Sequence, residues 1–387
     1  MPKKITATVF QGGSVKGAAY LGALRALPLQ DIKRVAGTSA GSITACLLAM
    51  GCDNDRIEEL LPTFVFRSVL DDKSGSIPTQ SKVLKSVGKI DEGKPVFWGK
   101  IPAKPVKIPI ACRLLKDNGI YEGEYIRNWI ENMIQEQVKI ITNGTVDGTN
   151  LTFAELHELA IKYPGVFRDL FIVGSNLTTG EAVTFGYNNP DYKNVIISDA
   201  VRISMSIPYL FKPHHIYHKI DGERLVGTGV NLWTDGGVYN NYPINCFDSE
   251  EFIDEGDEPL QQAEDGTFYN PQVVGFRLVS AGQKGYFEGR HDKTHAKEAE
   301  KIVSFTQKIA GANFALQEQI YAKPENIART VYIDHLNIST LAFNLSEEAI
   351  GDLIKSGEKA TKDYLAKFYS DEIHVHDERE KEAVFGY

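Results

Sequence analysis

The chain has 387 residues, of which 42% are hydrophobic and 24% are charged, values close to those of ordinary globular proteins. Its net charge of −9 argues against a nucleic-acid partner, and no apolar run reaches the ~18 residues of a membrane-spanning helix. The four cysteines do not have the spacing of a metal site. The length is sufficient for one large core or two domains.

A glycine-rich turn follows the first predicted strand, at 5–10, and precedes a helical pattern at 16–27. The turn reads Gly12-Gly13-Ser14-Val15-Lys16-Gly17. Because it lies between a strand and a helix N-terminus, its unpaired N–H groups and the helix dipole favour negative charge. It matches neither phosphate-loop pattern, since Gly17 follows Lys16 and Ser14 replaces the middle glycine of a dinucleotide loop.

A second turn matches the G-x-S-x-G pattern of a nucleophile elbow. A short strand at 34–36 precedes it, an apolar helix at 42–50 follows it, and it reads Gly37-Thr38-Ser39-Ala40-Gly41. In such an elbow, a sharp strand-to-helix turn exposes the serine hydroxyl. Ser39 is therefore the candidate nucleophile, and the first turn is a candidate site for an oxyanion. A lone G-x-S-x-G is common by chance, so this interpretation depends on further motifs.

A candidate base lies in the segment Trp233-Thr234-Asp235-Gly236-Gly237. The glycines after Asp235 leave its carboxylate sterically accessible. Alone, Asp-Gly-Gly is most often a β-turn. The three motifs in this order favour acyl transfer from an ester.

Together, the three motifs resemble the patatin-like phospholipases, which pair a Gly-Gly-x-x-Lys/Arg-Gly loop with a G-x-S-x-G serine and an Asp-Gly-Gly aspartate. The resemblance covers roughly residues 5–247 and includes Ala200–Pro208 and Asn241-Tyr242-Pro243. It implies an α/β fold, a three-layer α/β/α sandwich with a central, mostly parallel sheet. Ser14 departs from the third glycine usual in the family's first loop, so it must adopt the φ that the loop imposes.

The resemblance implies a Ser-Asp dyad without a catalytic histidine. Ser39 attacks the ester carbonyl, and Asp235 accepts its proton and then activates water against the acyl-enzyme. An ordinary carboxylate is a weak base for this task, and burial of Asp235 would raise its pKa. The implied oxyanion loop consists of Gly12, Gly13, Ser14, Val15, Lys16 and Gly17, and the motif glycines Gly236 and Gly237 follow the aspartate. No cofactor and no metal are expected.

Two alternatives stay open at this point. A Ser-His-Asp esterase or acyltransferase would need one of the histidines, and His335 follows Asp235 in the order typical of α/β-hydrolases. However, an elbow at residue 39 comes early for that fold, and His214 and His215 lie in a predicted turn. The second alternative is a non-catalytic lipid- or protein-binding module on the same fold, against which the intact Ser39 and Asp235 argue.

An acidic segment at 248–265 accounts for the net charge. It contains no lysine or arginine, and its nine acidic residues are Asp248, Glu250, Glu251, Asp254, Glu255, Asp257, Glu258, Glu264 and Asp265. We interpret it as a solvated loop that emerges near the active-site face and opposes docking on anionic membranes. A calcium loop is the alternative, but the EF-hand spacing is missing.

The domain organisation follows from the remaining patterns. We expect a catalytic domain at 1–247, an acidic loop and late strand at 248–289, and a mainly helical extension at 290–387. A proline-rich loop at 89–109 is a candidate lid or a connector. The other expected elements are helices at 54–70, 122–138, 294–322 and 346–368, a helix from a Thr152–Glu155 capping box to Tyr163, strands at 169–173, 182–185, 273–280 and 330–333, and a loose tail at 374–387.

The resemblance implies a lipid acyl hydrolase, a phospholipase A or lysophospholipase, that acts on phospholipid or lysophospholipid at a membrane surface, with a protein activator left open. The stretch after Met-Pro-Lys-Lys is too short for a signal-peptide core. We therefore expect a cytoplasmic, peripherally membrane-associated protein, or one exported without a cleavable signal.

Overall fold

The computed structural model describes residues 4–60, 64, 66–71, 117–227, 231–280, 317, 321–340 and 342–369. The strands in these ranges are β1 Ala7–Phe10, β2 Arg34–Thr38, β3 Gly119–Tyr121, β4 Asp169–Asn176, β5 Glu181–Phe185, β6 Tyr209–Phe211, β7 Tyr217–Ile220, β8 Glu223–Val226, β9 Trp233–Asp235, β10 Gln261–Gln262, β11 Phe268–Tyr269, β12 Val273–Val279 and β13 Thr330–Asp334. The helices are α1 Ala18–Ala26, α2 Ala40–Ala49, α3 Asn54–Leu60, α4 Glu124–Ile141, α5 Phe153–Lys162, α6 Ile197–Ser204, α7 Pro324–Ala328 and α8 Glu347–Tyr369.

A mixed, mostly parallel sheet forms the centre of the described part. Its strand order is β13-β12-β1-β2-β4-β5, and β9 pairs with β4 beyond the end of β2. β13, β12, β1, β2 and β4 run parallel, whereas β5 and β9 are antiparallel to β4. The carboxyl ends of the five parallel strands therefore share one edge, here called the carboxyl edge. With helices packed against this sheet, the predicted fold class is confirmed.

The two faces of the sheet are covered differently. One face carries the main core, in which α1 and α2 pack on the sheet and α8 packs along α1 and β13. The other face is covered by 242–252 together with Tyr321. There the rings of Phe171, Phe247 and Phe252 meet edge to face at centroid distances of 5.2–5.4 Å. The predicted C-terminal helix thus belongs to the main core.

Most predicted elements near the site are present, including the capping box between Thr152 and Glu155. The helix predicted at 54–70 is wrong beyond Leu60, since Phe64 is irregular and Phe66–Val69 is a 3-10 turn. A proline at 62 disfavours helical backbone in the residue before it. The predictions for 89–109 and 374–387, and most of 294–322, lie outside the described residues. Across the described ranges, no helix is long and apolar enough to cross a bilayer.

The acidic segment lies at the amino ends of the parallel strands. Asp254 pairs with Arg34 at the start of β2, and Asp248 pairs with Arg329, which directly precedes β13. Ser39 follows the opposite end of β2, roughly 16 Å away at ~3.3 Å per residue. The expectation that this segment emerges near the active-site face is therefore wrong. Between Asp235 and Asp248 the chain runs along one face of the sheet, from the carboxyl edge to the amino ends of the strands.

Candidate active site

Ser39 occupies a strained turn between β2 and α2, with φ of 52° and ψ of −123°. A Cβ on Gly37 would lie 2.2 Å from the Gly41 carbonyl oxygen, and a Cβ on Gly41 would lie 2.3 Å from the Phe10 oxygen. Only glycine fits at both positions, which explains the flanking residues of the motif. Non-glycine residues rarely hold such a backbone, and they do so chiefly at functional sites.

Asp235 directly faces the serine. The Ser39 hydroxyl donates to Asp235 Oδ2 at 2.7 Å, and the Gly237 N–H donates to Oδ1 at 2.7 Å. Asp235 is 1% exposed, and no cation pairs with it in the described ranges. Burial raises the pKa of Asp235 from 3.8 to about 7, although both hydrogen bonds act to lower it.

The end of α6 and the residues directly after it hold Ser39 and Asp235 together, a role that the sequence did not reveal. The Ser39 N–H donates to Ser204 Oγ at 2.8 Å, and Ser204 Oγ donates to the Val173 carbonyl oxygen at 2.6 Å. The Asp235 N–H donates to the Ser206 carbonyl oxygen at 3.0 Å. The family pattern at Ala200–Pro208 points to this segment. Its hydrogen bonds to Ser39 and Asp235 depend on tertiary contacts, which a sequence pattern does not show.

The glycine loop places its N–H groups beside Ser39. The Gly12 N–H already donates to the Asn241 carbonyl oxygen at 2.9 Å. Gly12 therefore lacks the free N–H that was expected of it as an oxyanion donor. The reason is that the loop docks on the Asn241-Tyr242-Pro243 turn. In the described ranges, the N–H groups of Gly13 and Ser14 have no acceptor. Ser14 has φ of 51°, so it does adopt the left-handed backbone that glycine would favour.

The other predicted motif residues surround this centre. Val15 and Gly17 belong to the 3-10 turn Ser14–Gly17 that leads into α1, and Ala40 begins α2. Thr38 ends β2 and donates its hydroxyl to the Asn240 carbonyl oxygen at 3.0 Å. Gly236 begins the 3-10 turn after Asp235, where a Cβ would lie 2.3 Å from the Val173 oxygen. Lys16 alone carries a charge in the loop.

An apolar cavity opens beside the serine. Its volume is about 80 Å³, well below the roughly 300–1,000 Å³ of small-molecule sites, and its walls are almost entirely apolar. Its walls include Val15, Ala40, Ile43, Leu47, Trp129 and Met205. Met205 Sδ lies 3.8 Å from Ser39 Oγ, so the cavity reaches the candidate nucleophile.

The histidines have other surroundings. His214 Nε2 lies 2.8 Å from Asp199 Oδ1, and Asp199 also pairs with Arg127 and Arg224. His335 follows β13, and its backbone N–H donates to the Val279 carbonyl oxygen at 2.9 Å. Among the described residues, no histidine hydrogen-bonds to Ser39 or Asp235. Nor does this part of the chain bring three or more His, Cys, Asp or Glu side chains together as metal ligands.

Comparison with known protein families agrees with the sequence resemblance. A family model described as patatin-like phospholipase matches residues 8–248. The uncharacterized protein YqhO of Bacillus subtilis (strain 168) is 30% identical over 250 residues, which cover 62% of this chain and 66% of that protein, slightly less than two thirds. VipD from Legionella pneumophila has a TM-score of 0.49 at 18% identity, covering 95% of this chain and 67% of VipD. A chain of the ExoU–SpcU complex from Pseudomonas aeruginosa has a TM-score of 0.44 at 19% identity, covering 95% and 52%. By its match to the family model, the chain belongs to the patatin-like phospholipase family.

Proposed function

We propose that this protein is a lipid acyl hydrolase, a phospholipase A or lysophospholipase, that cleaves carboxylic esters through Ser39 and Asp235. The observation that carries the proposal is the 2.7 Å hydrogen bond from the Ser39 hydroxyl to a buried carboxylate. The adjoining apolar cavity has the chemistry to receive an acyl chain.

In the first step, Ser39 Oγ attacks the ester carbonyl carbon while its proton passes to Asp235 Oδ2. A base is most effective when its pKa lies near the working pH, and burial brings the pKa of Asp235 to about 7. The carbonyl oxygen gains negative charge, which the N–H groups of Gly13 and Ser14 stabilise together with the N-terminal end of α1.

In the second step, the tetrahedral intermediate collapses to an acyl-enzyme on Ser39. The alcohol part of the lipid leaves with the proton held by Asp235, which regenerates the carboxylate. A water then loses a proton to Asp235 and attacks the acyl carbon, which forms a second tetrahedral intermediate. Its collapse releases the fatty acid, and Asp235 returns the proton to Ser39 Oγ. Asp235 thus acts as base and acid in each half of the reaction.

Two observations favour this proposal over the alternatives. A triad needs a histidine between Ser39 and Asp235, yet the described hydroxyl donates directly to the carboxylate. A binding module gains nothing from a strained serine beside a buried carboxylate that no cation of the described residues offsets, because both cost folding stability. Such costs are typical of catalytic sites.

The purified chain should be tested on mixed phospholipid vesicles, with mass spectrometry of the released fatty acids and lysophospholipids. We expect hydrolysis by the natural chain and by Ser249→Ala, a serine substitution in the acidic segment. We expect none above background from Ser39→Ala. Equal product formation by Ser39→Ala and the natural chain would refute the proposal.

A further inference from the structure

Strand β5 forms one outer edge of the main sheet in the described part of the chain. It pairs with β4 on one side, and the strand order ends with it. Its sequence, Glu-Ala-Val-Thr-Phe, contains the β-branched and aromatic residues typical of paired strands. It has no proline or lysine, with which proteins often protect an edge strand from further pairing. This edge is therefore able to accept another strand.

The outward backbone groups of β5 follow from the hydrogen bonds of β4. The N–H of Leu177, directly after β4, donates to the residue before β9 at 2.9 Å. Because successive residues of a strand face opposite neighbours, the backbone groups of Gly174, three residues earlier, face β5 and its partner Val183. Ala182 and Thr184, on either side of Val183, therefore direct their N–H and C=O groups outward. No described residue forms a backbone hydrogen bond with them there.

A groove with a volume of about 810 Å³ lies beside this edge. It is lined by 181–184 of β5, by the loop at 188–192 and by residues at 245–252, where the acidic segment begins. Phe171 and Phe252 also line it, which places the groove on the sheet face that 242–252 covers. The acyl cavity lies among residues of the main core, on the other face. The groove is thus separate from the candidate active site.

The groove is acidic. Its lining includes Glu181, Asp191, Asp248 and Glu251, and it includes no lysine or arginine. Arg329 pairs with Asp248, but the other three carboxylates have no ion pair within the described ranges. Uncompensated carboxylates create a negative potential, which favours a cationic ligand. A second copy of this chain would bring the same acids against this edge, and the repulsion between like charges disfavours it.

We propose that the β5 edge and its groove bind an extended, lysine- or arginine-bearing segment of another protein as an added strand. The outward N–H and C=O groups of Ala182 and Thr184 would pair with the backbone of that segment. Because side chains alternate along a strand, every second side chain would reach the acidic groove. Basic residues are therefore expected at alternate positions of the partner. Binding here would not depend on the reaction at Ser39.

The binding test uses a fluorescent peptide of sequence Lys-Thr-Lys-Val-Lys-Thr-Lys, followed by anisotropy. Two further copies carry backbone N-methyl groups, one at the lysines and one at the residues between them. An added strand pairs through the N–H groups of alternate residues, so one methylated copy should bind at least about tenfold more weakly than the other. Ser39→Ala should bind the unmethylated peptide like the natural chain, which separates this result from hydrolysis. Equal binding of the two methylated copies, or no saturable binding of the unmethylated peptide below about 1 mM, would overturn the proposal.

Substitutions on the protein test the same surface. Glu181→Lys combined with Glu251→Lys should weaken binding of the unmethylated peptide at least about tenfold and reduce its salt dependence. Glu223→Lys combined with Glu348→Lys, the same charge change at exposed residues of β8 and α8, should weaken it by less than about threefold. Ala182→Pro removes one outward N–H at an edge position, where proline is tolerated, and should also weaken binding severalfold. Equal binding by the two double variants would overturn the proposal. A dimer of the natural chain that Ala182→Pro abolishes would assign the edge to a second copy instead.

Discussion

Replacing Asp235 by Asn is expected to remove hydrolysis and, at the same time, to stabilise the fold at neutral pH. The carboxylate is buried with hydrogen bonds from Ser39 and Gly237, and no cation offsets its charge in the described ranges. Burial raises the pKa of Asp235 from 3.8 to about 7. The folded protein therefore holds a proton that the unfolded chain releases between these pH values.

The size of the stability difference follows from the interval between the two pKa values of Asp235, 3.8 and about 7. Because the folded-state pKa is the higher one, the proton's contribution to stability is fully present below about pH 4 and is lost as the pH rises to about 7. At 1.36 kcal/mol per pH unit, the whole interval corresponds to roughly 4 kcal/mol. Asparagine carries no charge and fills nearly the same volume. The stability of Asp235→Asn relative to the natural chain should therefore increase by about 2–3 kcal/mol between pH 5 and pH 8.

Urea unfolding of both proteins at pH 5 and pH 8 measures this difference, and other titrating groups cancel because both proteins share them. Asp199→Asn is the matched control, since three basic partners hold the pKa of Asp199 at about 2 and its loss should destabilise the fold at pH 8. An Asp235→Asn protein that is less stable than the natural chain at pH 8, or a difference independent of pH, would show that the buried Asp235 carboxylate does not destabilise the fold.

Four further predictions concern the reaction and the acidic segment. Below about pH 7, kcat/KM for a neutral ester should fall about tenfold per pH unit, because protonated Asp235 cannot act as a base; an inflection near pH 3.8 would contradict this. Asp248→Asn should lower the free energy of unfolding by about 3–5 kcal/mol, because Arg329 stays buried without its partner, whereas Glu255→Gln should change it by less than about 0.5 kcal/mol in the same urea assay. Glu255→Gln should also leave co-sedimentation with anionic vesicles unchanged. The acidic segment lies at the amino ends of the strands, farther than a Debye length of ~8 Å from the carboxyl edge, where Ser39 would meet a lipid. Exhaustive chelation should leave hydrolysis within about twofold, and a loss that calcium restores would point to a metal site instead.

The sequence was sufficient to predict the elements around the site. Strands β1 and β2 are short apolar runs, each followed by a glycine turn and an apolar helix, so local patterns determine where Ser39 and the loop lie. The pairing of Ser39 with Asp235 followed from the family resemblance. Its geometry depends on β9 pairing antiparallel to β4, with Asp235 opposite Gly174, a contact that local patterns do not encode.

Long-range contacts explain what the sequence could not predict. The Gly12 N–H is engaged because Asn241, more than two hundred residues later, docks on the loop. The acidic segment crosses to the amino ends of the strands because Arg34 and Arg329 hold it there. Charge counts along a chain identify such a segment, but its position depends on which buried cations it pairs with.

The most direct test of the central claim is the site at which a fluorophosphonate probe modifies the protein. We expect one adduct, on the peptide that contains Ser39. In Asp235→Asn, labelling should be slower by several orders of magnitude, because residues that act as one catalytic unit fail together. His335→Gln should be labelled at more than about one tenth of the natural rate, because loss of a general base costs at least ~10². Labelling at another serine, or labelling of Ser39 that needs His335 and not Asp235, would rule out a Ser39–Asp235 dyad.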